Sequence, residues 1–155
     1  MSNAALPRYG RRMTKIIIAY LSTLIAFAAI DSVWLINMAP RLYKPEIGPV
    51  MMESGFRLAP AMIFYAIYIG GILYFAVLPG LNAGVDGGVA RAALQGAVLG
   101  FLCYATYDFT NYATLKVWSL KVTVLDLIWG TVLTGGTAAA GTAITGWVMN
   151  RFFPA

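Results

Sequence analysis

Apolar residues along the chain gather into four long runs, and polar residues mark the ends of each. Over residues 16–40 the sole charge is Asp31, and over 58–85 there is none. Over 92–115 there is only Asp108, and beyond Lys121 the run to residue 150 holds only Asp126. About 20 apolar residues in helix cross a hydrocarbon core. A segment in lipid must satisfy its own backbone hydrogen bonds, so such runs are helices. The pattern predicts transmembrane helices at about 15–39, 59–78, 90–114 and 122–149, with Pro79-Gly80 stopping the second near Leu78. The first run is too long for a secretory signal, and Asp31 and Trp34 stand where a cleavage site would fall.

Between the first two helices, residues 41–59 are bordered and interrupted by Pro40, Pro45, Pro49 and Pro60 and carry Glu46, Glu53 and Arg57. This predicts a surface connection with a short interfacial turn around residues 50–54. The other connections are short, which favours antiparallel neighbours. The expected fold is an all-α membrane protein, an antiparallel bundle of four transmembrane helices forming one domain over residues 14–150. Residues 1–13 read as an N-terminal extension or an expression remnant.

Composition agrees with that frame: 60% of residues are hydrophobic, 11% are charged, and mean hydropathy is +0.74. A soluble domain carries roughly a quarter charged residues. The net charge of +5 comes from basic residues at the flanks of the runs, which points to membrane lipid as the partner and not to nucleic acid. With both termini cytoplasmic, the inner side holds Arg8, Arg11, Arg12, Lys15, Arg91 and Arg151, against Arg41, Lys44, Arg57, Lys116 and Lys121 outside. The bias toward the inside is slight, and it reverses for a chain starting at Met13. The expected location is the bacterial inner membrane, as a multi-pass protein.

Absent residue types narrow the chemistry. There is no histidine and one cysteine, Cys103, which removes histidine-based haem and zinc sites, a Ser-His or Cys-His nucleophile and any intramolecular disulfide. No phosphate-cradling glycine motif follows a strand-like run. All lysines flank the apolar runs, so none suits a mid-membrane Schiff base. No cofactor and no metal site are expected.

The polar residues inside the runs converge. With alternating crossings, Asp31, Asp108 and Asp126 lie toward one membrane face at similar depth. Each aspartate in a helix centre costs about 2.5–3.5 kcal/mol on insertion scales. At 3.6 residues per turn, Thr123, Asp126, Gly130, Thr134, Thr137 and Gly141 share one stripe. Ala97, Phe101, Tyr104, Asp108, Asn111 and Tyr112 share another, and Tyr20, Leu24, Phe27, Asp31 and Trp34 a third. Phe64, Tyr65 and Tyr68 reach the same depth from the second helix. The candidate ligand- or proton-binding residues are Asp31, Trp34, Tyr65, Tyr68, Tyr104, Asp108, Asn111, Asp126 and Trp129. Trp118 and Trp147 read as interfacial anchors, and Gly96-x-x-x-Gly100 as a close-packing surface.

Four stretches carry a resemblance: Phe27-x-x-x-Asp31-x-x-Trp34-Leu35, the helix from Phe64-Tyr65 to Pro79, Tyr104-Ala-Thr-Tyr-Asp108-x-Thr-Asn111-x-Ala-Thr-Leu115-x-x-Trp118, and Val122-Thr-x-x-Asp126-x-x-Trp129-Gly130-Thr131. Together they resemble the bacterial membrane family catalogued as domain of unknown function 2177, from about Met13 to Thr134. The resemblance implies an integral membrane protein and brings no reaction with it. Three readings stay open. The polar layer binds or translocates a small molecule, cation or proton, with a second copy completing a pathway; it serves a membrane enzyme acting on lipid, through an aspartate as general base with Tyr104 or Tyr107 assisting or through a carboxylate-bound metal ion; or it locks helix packing in an accessory subunit.

Overall fold

A computed structural model of the chain describes residues 8–84 and 87–154. Among these, four helical spans have the length and apolarity to cross a membrane: Tyr9–Val50, Leu58–Asn82, Gly88–Thr114 and Leu120–Phe152. The first begins as α1 (Arg8–Met38) and passes through a π-helical turn, Ala39–Tyr43, into the short α2 (Lys44–Ile47) and a 3-10 turn, Gly48–Val50. The second is α3 (Leu58–Ile72), a π-helical turn at Leu73–Val77, and α4 (Leu78–Asn82). The third and fourth are α5 (Gly88–Thr114) and α6 (Leu120–Phe152), each unbroken.

Two expected helix ends move. Helical winding does not stop at Pro40 or at Leu78, because a wide turn stands at each proline. A proline inside an α-helix lacks a donor and clashes with the carbonyl four residues back. A π turn relaxes that constraint by shifting the bond to the carbonyl five residues back. The Lys44 N–H bonds to Ala39 O, and the Leu78 N–H to Leu73 O. Pro40, Pro45, Pro49 and Pro79 all fall in the first two positions of their segments, where the donor is least needed. The expected surface connection therefore shrinks to residues 51–57, non-helical backbone with Gly55 at φ 67°. At the other end α1 starts at Arg8, so half of the expected extension is helix; residues 1–7 lie outside the described residues.

The fourth span, α6, turns polar and small residues inward and apolar ones outward. Thr123, Asp126, Gly130, Thr134, Thr137 and Gly141 on α6 are all buried, whereas Val124, Ile128 and Val132 on the same helix are exposed. A water-soluble helix shows the reverse, and only a hydrocarbon surrounding makes this order favourable. Buried hydroxyls turn back on their own helices: Thr23 donates to Ala19 O and Thr145 to Gly141 O, both at 2.6 Å.

Small residues set the closest approach, between α5 and α6. A Cβ on Gly96 would stand 2.7 Å from Ala138 Cβ, and one on Gly100 would stand 2.6 Å from Thr134 Oγ1. The Gly96-x-x-x-Gly100 surface thus packs as expected. Phe27, Ile69, Ile72, Ala76 and Leu133 form the apolar centre. A second cluster, Leu42, Ile47 and Val122 with Trp34, Tyr43 and Trp118 around it, fastens the turns after Pro40 to the start of α6. Glu46 strengthens that clasp by accepting from Ser119 Oγ at 2.7 Å and Lys121 Nζ at 3.0 Å. Trp118, expected at the interface, packs here and donates to Thr123 Oγ1 at 3.1 Å.

Candidate functional site

Three carboxylates from three helices are buried in this bundle: Asp31 on α1 at 7% exposure, Asp108 on α5 at 0% and Asp126 on α6 at 6%. Their surroundings differ, and the differences separate their chemistry.

Asp126 is held by a chain of donors. Tyr43 Oη donates to Asp126 Oδ1 at 2.6 Å and itself accepts from Trp34 Nε1 at 2.9 Å. The Trp34 indole stacks on Trp129, centroids 4.3 Å apart and planes 7° from parallel. Three elements meet in this chain, α1 through Trp34, the π turn through Tyr43 and α6 through Asp126 and Trp129. The chain ties the turns after Pro40 to α6 as well as holding the carboxyl.

Asp31 is held from the second span. Tyr65 Oη donates to Asp31 Oδ2 at 3.1 Å, and the Trp129 N–H lies beside the carboxylate without closing a well-formed hydrogen bond. Phe27, one turn earlier on α1, receives Tyr65 and Tyr68 edge-on, each with a centroid distance of 5.6 Å. Tyr68 Oη pairs at 2.8 Å with Thr134 Oγ1 of α6. It braces the wall of the layer and does not touch an aspartate.

Asp108 has no such support. Both of its carboxyl oxygens are buried, and neither has a hydrogen-bond partner among the described residues. The charge that acts on it is that of Asp126, of the same sign. Tyr104, one turn earlier on α5, lies within electrostatic reach of Asp31, Tyr43, Tyr68 and Asp126. Its ring packs flat on the space that a side chain at Gly130 would fill.

The nine residues expected from sequence divide accordingly. Asp31, Trp34, Tyr65, Asp126 and Trp129 lie in or against two hydrogen-bonded groups; Tyr68 and Tyr104 line the layer, and Asp108 stands unpaired within it. Asn111, three residues beyond Asp108, is only half buried and lies beside Tyr107. Phe101 and Tyr112, expected on the same inward stripe, are exposed. Tyr43 was not among the expected residues although it is the central link. Its signal was the spacing Trp34, Met38, Leu42, which carries the apolar stripe of α1 past Pro40. Among the described residues no three His, Cys, Asp or Glu side chains are placed to hold a metal ion.

No curated protein and no solved structure matches the chain. A family model described as a predicted membrane protein, DUF2177, matches residues 16–143, a stretch that includes every side chain of the aspartate layer. With four membrane-length helices and most of its length matched, the chain belongs to this family of predicted membrane proteins.

Proposed function

We propose that the aspartate layer takes up and releases a proton or a small cation, with Asp108 as the exchanging group. The observation that carries this reading is the contrast among three buried carboxylates. Asp31 and Asp126 each accept from a tyrosine hydroxyl, whereas both Asp108 oxygens are left unpartnered next to a like charge. A bare carboxylate in such a place costs several kcal/mol. A proton or a cation arriving at Asp108 removes that cost. Ionisable groups kept inside a bundle commonly mark a proton or ion path.

The occupant proposed for Asp108 is of atomic size, a proton or a monatomic cation. Passage across the whole membrane would need a second copy to complete a path. On this reading the protein works in a bacterial inner membrane, its apolar outer faces covered by lipid. One observation favours a second reading, a structural lock: the Trp34–Tyr43–Asp126 chain and the Tyr65–Asp31 pair are satisfied and join three of the four spans.

The two are separated by infrared difference spectroscopy on purified wild type and on Asp31→Asn, Asp108→Asn and Asp126→Asn, across pH and with Na⁺, K⁺ or Ca²⁺ added. The expected result is a protonated-carboxyl or cation-sensitive carboxylate band lost in Asp108→Asn alone. Spectra of wild type and Asp108→Asn that respond identically to pH and to every cation would overturn the exchange reading and leave the lock.

A further inference from the structure

At the end of the bundle away from the aspartates, the start of α1, the end of α4, the start of α5 and the end of α6 enclose a cleft of about 800 Å³. Its polar lining comes from Arg11, Arg12, Lys15, Asn82, Thr142 and Asn150, and no carboxylate is among the described residues that line it. The cations stand on successive turns of one helix. Lys15 Nζ is turned into the cleft by a bond to Asn82 Oδ1 at 3.3 Å. At its floor Thr142 is 5% exposed, and its buried hydroxyl has no hydrogen-bond partner among the described residues. Beside it Gly80 lets α4 close onto α5, since a Cβ there would stand 2.6 Å from Gly88 O, 2.8 Å from Ala92 Cβ and 3.3 Å from Thr142 Oγ1.

We propose that this cleft binds a phosphate-class anion, the arginines and lysine neutralising its charge and the Thr142 hydroxyl donating to one of its oxygens. Arginine matches phosphate with its planar fork of donors, and lysine adds a compact charge. An orphaned buried hydroxyl is costly, and an anionic oxygen is the acceptor that relieves it. The depth identifies the headgroup region. Trp147 lines the cleft and is 63% exposed, and Arg151 sits 5.8 Å over the Phe152 ring beside it; exposed aromatic and basic residues at helix ends mark the membrane–water boundary. Basic pockets between helix ends suit anionic lipid headgroups, and a soluble phosphate ester presents the same oxygens.

The test uses purified full-length protein in a neutral detergent, titrated with dihexanoyl phosphatidylglycerol, dihexanoyl phosphatidylcholine and inorganic phosphate. Binding is read from tryptophan emission and from the unfolding midpoint. Phosphatidylglycerol is expected to bind and phosphatidylcholine to bind far more weakly. With each basic residue worth the usual amount near a charged headgroup, Arg12→Gln together with Lys15→Gln should weaken binding roughly thirtyfold. Thr142→Val, which keeps the shape and removes the donor, should weaken it without lowering the midpoint of the ligand-free protein. It also serves where the double variant fails to fold. Competition by inorganic phosphate would make a soluble ester the source, and failure to compete would make it the lipid; either outcome supports the site. Equal affinity for the two lipids, or unchanged affinity in both variants, would overturn it.

Discussion

Tyr43→Phe isolates one hydroxyl in the layer. The phenylalanine ring still fills the cluster formed by Leu42, Ile47 and Val122, so packing is conserved while two hydrogen bonds vanish, the 2.6 Å bond to Asp126 and the 2.9 Å bond from Trp34. In a soluble core, a buried group orphaned in this way costs about 1–3 kcal/mol. Inside a membrane the unfolded reference also finds partners, and side-chain hydrogen bonds there average nearer 0.6 kcal/mol, with about 1.7 as the upper end. Two bonds, one of them to a carboxylate, place the loss at about 1–3 kcal/mol, which for a chain of this size lowers the unfolding midpoint by roughly 2–12 °C. The assay is thermal unfolding in detergent of wild type, Tyr43→Phe, Asp126→Leu and the double variant. A coupling of at least about 0.5 kcal/mol between the two positions is expected, because they share a bond. Unchanged stability in Tyr43→Phe with no coupling would refute the chain as a support of the fold.

The other expectations are briefer. Asp108→Asn should remain folded and lose no thermal stability relative to wild type, since it removes a charge that nothing supports; a large loss in the same unfolding assay would show that the carboxylate has a partner in the native state. Gly130→Ala should destabilise by about 1–3 kcal/mol through collision with the Tyr104 ring, whereas Gly136→Ala, with nothing near its Cβ position, should be neutral or slightly stabilising; equal effects in a chemical or thermal melt would contradict the α5–α6 packing. In a Cys103→Ser background, single cysteines at Gly84 and Ser119 should react with an impermeant maleimide from opposite sides of a sealed vesicle, and labelling from one side would break the four-span topology.

The extent to which this molecule is legible in its sequence follows from what each signal measures. Run length and charge spacing report the cost of placing polar groups in lipid, a cost large enough to override local preference. The four spans were therefore readable from counting alone. Proline was misread for the opposite reason. Its effect is local, and a π turn at Ala39–Tyr43 and another at Leu73–Val77 absorb it where the surrounding apolar contacts reward continuing the helix. That single turn decided the site, because it brings Tyr43 from an expected surface connection to Asp126. Helical periodicity placed Asp108 and Asn111 on one stripe, yet three residues on a helix span 300°, which leaves them 60° apart. At the edge of an interface that offset separates a fully buried carboxyl from a half-buried amide. Periodicity also carries no information on whether a buried oxygen finds a donor on another helix. Asp31 and Asp126 find tyrosines contributed by distant segments, and Asp108 finds none among the described residues. The three aspartates are alike in one dimension; in three, two of them are paired with tyrosines and the third is not, and that contrast is what the exchange proposal rests on.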